Sequence, residues 1–189
     1  MLSIPTRSEL RRRPIVAPRT LLTPLDTADA PELWTSVESS RAYLEPWLPW
    51  VPFQTDPPSC MRFIEACMLD WDHGYALRFA IRERGSQAFL GVISLDMIQH
   101  LNLSCDMGYW LRKDVNGRGL MTEVATATAE WGFQSVGLHR IRVAAATDNH
   151  RSLSVIRRVG FRFEGIARHA EFVAGRWLDH AIFAKLATD

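Results

Sequence analysis

Apolar residues recur with two different periods along this chain, and the change of period divides it. Between residues 26 and 72 the spacing is helical. Asp26 or Thr27 is placed to cap a short helix over Ala30–Ser39, and a second follows around Ser40–Trp47. Leu48-Pro49-Trp50-Val51-Pro52 reads as extended, because each proline disfavours helix at the residue before it. Pro58 suits a first helical position and opens a helix to about Asp72, with Met61, Ile64, Met68 and Trp71 on one face and Cys67 beside them. Before this region, Arg19–Leu25 alternates as a first strand that Pro24 ends.

Beyond residue 76 alternation takes over. Leu77–Arg82, Phe89–Met97 and Ser104–Arg112 read as strands, with turns at Gly85 and Leu101-Asn102. Gly119–Phe133 returns to helical spacing through Leu120, Val124, Ala127 and Trp131. Arg140–Ala146 is a strand, Ser152–Val159 a helix stopped by Gly160, and Phe161–Phe172 with Trp177–Leu186 a hairpin turning at Ala174-Gly175. The sum is an α+β fold on a mostly antiparallel, seven-stranded sheet.

Composition narrows the class. The 189 residues suit one domain, 47% hydrophobic and 23% charged with a net charge of +1, so no whole-protein field favours nucleic acid or an anionic membrane. No apolar run approaches the roughly 18 residues that span a bilayer. Cys60, Cys67 and Cys105 form no CxxC pair, which argues against a zinc site or disulfide framework and for a reducing cytoplasm. All ten prolines fall at or before Pro58. Residues 1–13, with Arg11, Arg12 and Arg13, are expected to be a flexible arm, and 14–189 the domain. Pro14–Pro18 is too short and broken for an export signal.

Two stretches carry chemistry. In Tyr109–Val124 a strand runs through a short loop into a helix. Gly117 and Gly119 leave backbone N–H groups free to close around an anion, the helix start adds roughly half a positive charge, and Arg118 between them can pair a phosphate. An ordinary glycine turn capping a helix fits the same residues. A P-loop and a dinucleotide fingerprint fit poorly, since no Lys follows either glycine and Thr122 stands where a third glycine is needed. The second stretch is Asn149-His150-Arg151-Ser152, continuing to Val159-Gly160-Phe161.

Taken together, Gly108-Tyr109-Trp110-Leu111, Asn116-Gly117-Arg118-Gly119 and Asn149-x-x-Ser152 resemble the GNAT superfamily of acyl-CoA-dependent N-acetyltransferases, specifically its RimJ/RimL-like branch. Tyr43-Leu44-x-Pro46-Trp47-Leu48-Pro49-Trp50 and Gly175-Arg176-Trp177-x-Asp179 look like the same branch, so the resemblance runs from about residue 17 to 187. It implies helices on both faces of the sheet and splayed central strands, Ser104–Arg112 and Arg140–Ala146, with acetyl-CoA in the gap. Backbone groups of Tyr109, Trp110 and Leu111 would pair the pantetheine. The N–H groups of Asn116, Gly117, Arg118, Gly119, Leu120 and Met121 would hold the pyrophosphate, and Arg157 would reach a CoA phosphate. Asn116 and Met121 depart from the usual loop ends, and Ile156 stands where many members carry a proton-donating Tyr. The branch resembled here uses a Ser, at Ser152.

Acetyl transfer to an amine needs a base, a held oxyanion and a proton for the departing thiolate. Asp106 is the candidate base, or else a sheet-surface carboxylate. Ser152 is the candidate thiolate donor, or else a helix-cap residue, and Asn149 would hold the pantetheine arm or a water. His139 and His150 read as surface residues. Cys105, pointing away from Asp106, does not suit a nucleophile. Trp47 and Trp50 would line the acceptor pocket or pack the core. The expected function is a cytoplasmic, homodimeric acetyl-CoA-dependent N-acetyltransferase without a metal. Its acceptor would be a primary amine, either a protein N-terminal α-amine or a small amino compound. The alternatives are a non-catalytic acyl-CoA-binding module and a transferase using another acyl-CoA donor.

Overall fold

Helices begin where a polar side chain can hold their first free amides. A computed structural model describes all 189 residues. In it α1 (Arg7–Arg12) starts behind Thr6, which accepts from the Glu9 amide. Asp56 accepts from the Ser59 amide at 2.7 Å and opens α3 (Pro57–Asp72). Between them lies α2 (Ala30–Leu44), one continuous helix where two were expected. Nothing at Ser39-Ser40 breaks it, and Ser36 and Ser40 are buried on its packed side. The buried face of α3 is Cys60, Ile64, Cys67 and Trp71, so small cysteines replace Met61 and Met68 at the closest approach. Residues 48–52 are not extended throughout: Val51–Phe53 forms a single 3₁₀ turn with Pro52 inside it.

The sheet has eight strands rather than seven. They are β1 (Ile15–Val16), β2 (Thr20–Pro24), β3 (Leu77–Glu83), β4 (Phe89–Gln99), β5 (Ser104–Leu111), β6 (Arg140–Ala146), β7 (Arg162–Val173) and β8 (Arg176–Leu186). The extra strand, β1, is two residues paired to β2, too short to show a period. Spatial order is β1-β2-β3-β4-β5-β6-β8-β7, and β5–β6 is the one parallel pair. A parallel pair needs a crossover, and α4 (Leu120–Trp131) supplies it, while α5 (His150–Val159) links β6 to the closing hairpin.

Alternation along the strands sends side chains to two cores. Phe79, Ile81, Ile93, Leu95, Met107, Ile141 and Val143 pack beneath α4 and α5. Ala80, Val92 and Trp110 pack beneath α2 and α3. Residues 1–13 are not a flexible arm. Leu2 and Leu10 are buried in the first core, Trp71 Nε1 donates to the Pro5 carbonyl at 2.9 Å, and Arg7 grips Asp72 through both carboxylate oxygens. The sequence offered only a basic cluster there, and the apolar anchors are single residues.

Gly91 on β4 lies directly behind Trp110: a Cβ there would sit 2.2 Å from the Trp110 carbonyl oxygen. Gly91→Ala is therefore expected to destabilise the fold by about 3 kcal/mol or more, the upper range for overpacking. Urea unfolding would read it, and a change below about 1 kcal/mol would mean that β4 and β5 approach less closely.

Candidate active site

The parallel pairing of β5 with β6 lasts three rungs: Ser104↔Arg140, Cys105↔Ile141 and Asp106↔Arg142. Past them, Met107–Leu111 and Val143–Ala146 draw apart and line a cavity of about 340 Å³. Outer neighbours keep both strands straight, since β4 pairs β5 to Leu111 and β8 pairs β6 to Ala146. The two inner edges are thus open, with unpaired backbone groups on each. Such edges recruit an extended ligand.

Tyr43, Trp47, Leu48, Pro49 and Trp50 roof the cavity. Trp50 is both lining and core, stacked on Phe63 and tilted against Trp110 with ring centroids 5.8 Å apart. Trp47 packs on the small cluster of Ala146, Val173 and Leu178, with the Arg176 guanidinium 5.5 Å above its ring. Arg151 sits in the same way over Tyr43.

A second cavity of about 590 Å³ opens at the end of β5, where Asn116, Gly117, Gly119, Leu120 and Met121 face the start of α5. Gly117 and Gly119 adopt φ of +79° and +77°, conformations that favour glycine. The amides of Gly117, Arg118 and Gly119 donate to no protein acceptor. Those of Leu120 and Met121, first in α4, have none within the helix. Five successive N–H groups are therefore left free at a helix start, and four of their residues, Gly117, Gly119, Leu120 and Met121, line the cavity, an arrangement suited to a phosphate.

The side chains around this cradle differ from expectation. Arg118 folds back to donate to the Asp114 carbonyl at 3.2 Å, so it offers its amide rather than its charge. Asn116 Nδ2 donates to the Arg112 carbonyl at 2.6 Å and shapes the loop. Arg19, just before β2, braces the loop, holding the Arg118 carbonyl at 2.7 Å and the Glu123 carboxylate at 2.6 Å. Arg157 does not face the cradle: it lines a separate hollow with Phe163 and Ile166. Its neighbour Arg158 faces the cradle, together with Arg151, His150 and Lys113. Arg151 and Arg158 are seven residues apart, two turns along one side of α5, and that spacing was the available signal.

Ser152 and Asn149 meet the cavity as expected. The Asn149 side chain caps α5, accepting from the Ser152 amide at 3.2 Å. Ser152 Oγ lies 3.0 Å from the Tyr109 hydroxyl. Burial pushes the Tyr109 phenol up to about 12, so it remains protonated at any working pH. The base reading of Asp106 does not fit this geometry. Asp106 lies outside the cavity lining, and Arg142 holds both its oxygens, Nε at 2.8 Å from Oδ1. The carboxylate that does line the cavity is Glu171 on β7, 3.6 Å from His180 Nε2 on β8. Sequence reasoning missed both, since a hairpin carboxylate gains meaning only when the hairpin folds over the slot. His139 is exposed and lines neither cavity, and His150 is exposed at the cradle. The three cysteines are buried, and burial pushes the Cys67 thiol up to about 11 and raises Cys105 as well, so neither offers a thiolate.

Comparison with known proteins shows the family and the fold. Residues 19–162 match the family model described as an acetyltransferase (GNAT) domain. The ribosomal-protein-serine acetyltransferase of Escherichia coli is 27% identical over 82% of this chain and 85% of its own length. The [ribosomal protein uS5]-alanine N-acetyltransferase of Escherichia coli is 26% identical over 97% of this chain and 95% of its own. A solved RimL ribosomal L7/L12 alpha-N-protein acetyltransferase, in complex with coenzyme A, superposes with a TM-score of 0.86 at 25% identity, covering 92% of this chain and 96% of that one.

The cradle is testable with coenzyme A alone. A ligand at 100 times its Kd adds roughly 2.7 kcal/mol to stability, so it should raise Tm measurably. Gly119→Val, which crowds the cradle, should abolish that rise while the variant still melts cooperatively. Arg158→Ala should reduce it and Arg157→Ala leave it intact; the reverse order would return the phosphate contact to Arg157.

Proposed function

The chain belongs to the GNAT acetyltransferases and is an acetyl-CoA-dependent N-acetyltransferase, and we propose that its acceptor is the α-amine of a protein N-terminus. The observation that carries this reading is the slot between β5 and β6, flanked by Ser152 and Glu171 and opening at one end into the five-amide cradle. Acetyl-CoA suits these residues: the cradle answers its pyrophosphate, and the open edge of Tyr109–Leu111 answers its amide-bearing arm. The opposite mouth of the slot suits a peptide. Apolar contacts of α2 and α3 reach β5 through Trp110, and Trp47, just after α2, reaches Ala146 of β6 with Val173 and Leu178 of the hairpin. Relatives named for ribosomal-protein acetylation, matched over 82% or more of this chain, support the same acceptor class.

With no thiolate available, transfer is direct within a ternary complex. Glu171 receives the proton of the attacking amine, directly or through one water, with His180 beside it. The new C–N bond forms as the C–S bond breaks, Ser152 donates its proton to the departing sulfur, and water reprotonates the serine oxygen as the thiol leaves. Tyr109 assists: as a permanent phenol it donates to Ser152 Oγ and leaves the serine proton free. Asn149 fixes the first turn of α5 and with it the position of Ser152. Backbone amides on the opened edge of β5 are the donors at hand for the carbonyl oxygen.

We also propose a cytoplasmic homodimer. No helix is long and apolar enough to cross a membrane. Phe163, Ile166, Phe172 and Trp177 on the closing hairpin are each more than half exposed, an apolar surface suited to a second copy. Light scattering should give twice the 21.5 kDa chain mass, and a value at 21.5 kDa would rule the dimer out.

Turnover is read by free-thiol release from acetyl-CoA against peptides and small amines. Peptides with a free N-terminus should turn over and the same peptides with a blocked N-terminus should not. Equal rates for both would move the acceptor to a side chain. Glu171→Gln should lower kcat by about 10²-fold, the usual scale for a general base, while Asp106→Asn should not. Ser152→Ala should lower kcat least with an acyl donor whose thiol is more acidic, and Tyr109→Phe should follow Ser152→Ala in milder form. Full kcat in Glu171→Gln would place the base elsewhere.

A further inference from the structure

Asp106 and Arg142 face each other on the last parallel rung before the strands part, and the reaction as described gives them no part. Their contact is a two-pronged guanidinium–carboxylate pair joining the strands one residue below the cavity lining, which begins at Met107 and Val143. By alternation, the next residues outward on the same face are Gly108 on β5 and Ala144 on β6. Both line the cavity, and neither carries more than a methyl group as its side chain. Behind Gly108 there is no spare room, since a Cβ there would come within 3.1 Å of Ser94 Oγ.

The direction of the donor follows from the cradle. Its pyrophosphate sits beyond Leu111, so an arm paired along β5 runs backward from Leu111 to Met107, a span of about 13 Å at 3.3 Å per residue. The acyl end therefore arrives beside Gly108 and Ala144, pointing at the apex. We propose that the Asp106–Arg142 pair is the end stop of an acyl subsite, and that it restricts the donor to short acyl groups. This rests on the reading of the slot as the acetyl-CoA site. A two-carbon group ends short of the pair. Each further methylene must either displace the pair or lie against it and strip its water. The pair is only partly covered, with side-chain exposures of 30% for Asp106 and 45% for Arg142, so its hydration is real and its loss is costly. Cys105 and Ile141, on the preceding rung, point into the opposite core and offer no alternative path.

Binding tests this without knowledge of the acceptor. Coenzyme A, acetyl-CoA and butyryl-CoA are titrated calorimetrically into the natural chain and into Asp106→Ala/Arg142→Ala, the double change avoiding a lone charge. The natural chain should bind acetyl-CoA at least about tenfold more tightly than butyryl-CoA, the scale of one or two rejected methylenes. In the double variant that ratio should fall severalfold while coenzyme A affinity holds. An unchanged ratio, or equal weakening of all three ligands, would make the pair a structural clasp and overturn the proposal. Ala144→Val works in the opposite sense, and independently should the double variant not fold. It should weaken acetyl-CoA while sparing coenzyme A, and equal loss of both would count against the subsite. Failure of the natural chain to bind any of the three would instead remove the donor-site reading itself.

Discussion

The structure depends on a parallel strand pair that stops after three rungs. Backbone donors and acceptors inside a sheet are normally paired, and two open edges facing each other across a cavity are costly to leave dry. The protein tolerates them because each strand is fully held on its other side, β5 by β4 and β6 by β8. The gap is therefore rigid, and an extended molecule with amides of its own completes the sheet. Both strands lead at their C-terminal ends toward helices, so α4 and α5 present their N-termini to the same opening. The cradle amides, Asn149 and Ser152 are all consequences of that one arrangement.

Charge is used here mainly to hold geometry. Of 22 basic residues 20 are arginine, and many are bound to carboxylates from distant elements. Arg19, just before β2, holds Glu123 in the first turn of α4, Arg78 bridges Asp70 and Asp96, and Arg82 reaches Asp29 and Glu32. The more exposed of these pairs contribute little net stability, about 0–1 kcal/mol each, whereas Arg82 and Asp29 are largely buried. Their value is directional, because a planar guanidinium fixes the two groups it bridges. Arg118 differs, folding back onto the nearby Asp114 backbone carbonyl and leaving the cradle's charge to Arg151 and Arg158.

Regular elements were legible in the sequence where a period ran long enough to be seen. The strand Arg140–Ala146, the α5 stop at Gly160 and the closing hairpin lie where alternation and turn residues place them. Elements resting on one or two residues were not legible. The two-residue β1 has no period, and α1 is anchored by Leu10 and a clasp between Arg7 and Asp72, contacts 65 residues apart in the chain. The break assumed between Ser39 and Ser40 had no breaking residue behind it, and the structure runs straight through.

What the sequence by itself determined was the chemistry of local segments: a glycine loop opening a helix, an Asn149-capped helix carrying Ser152, and the order of strands around them. These depend on residues close in the chain, whose conformations follow from φ preferences, capping and alternation. Tertiary structure alone decided which side chains share the slot. Asp106 is held outside it by Arg142 on the neighbouring strand, and Glu171, 65 residues later in the chain, is brought into it by the closing hairpin. The choice between Arg157 and Arg158 turns on about 100° of helix rotation, set by how Leu153, Ile156 and Val159 bury against the sheet. Catalytic identity at such positions is a matter of distance across the fold, which no spacing along the chain encodes.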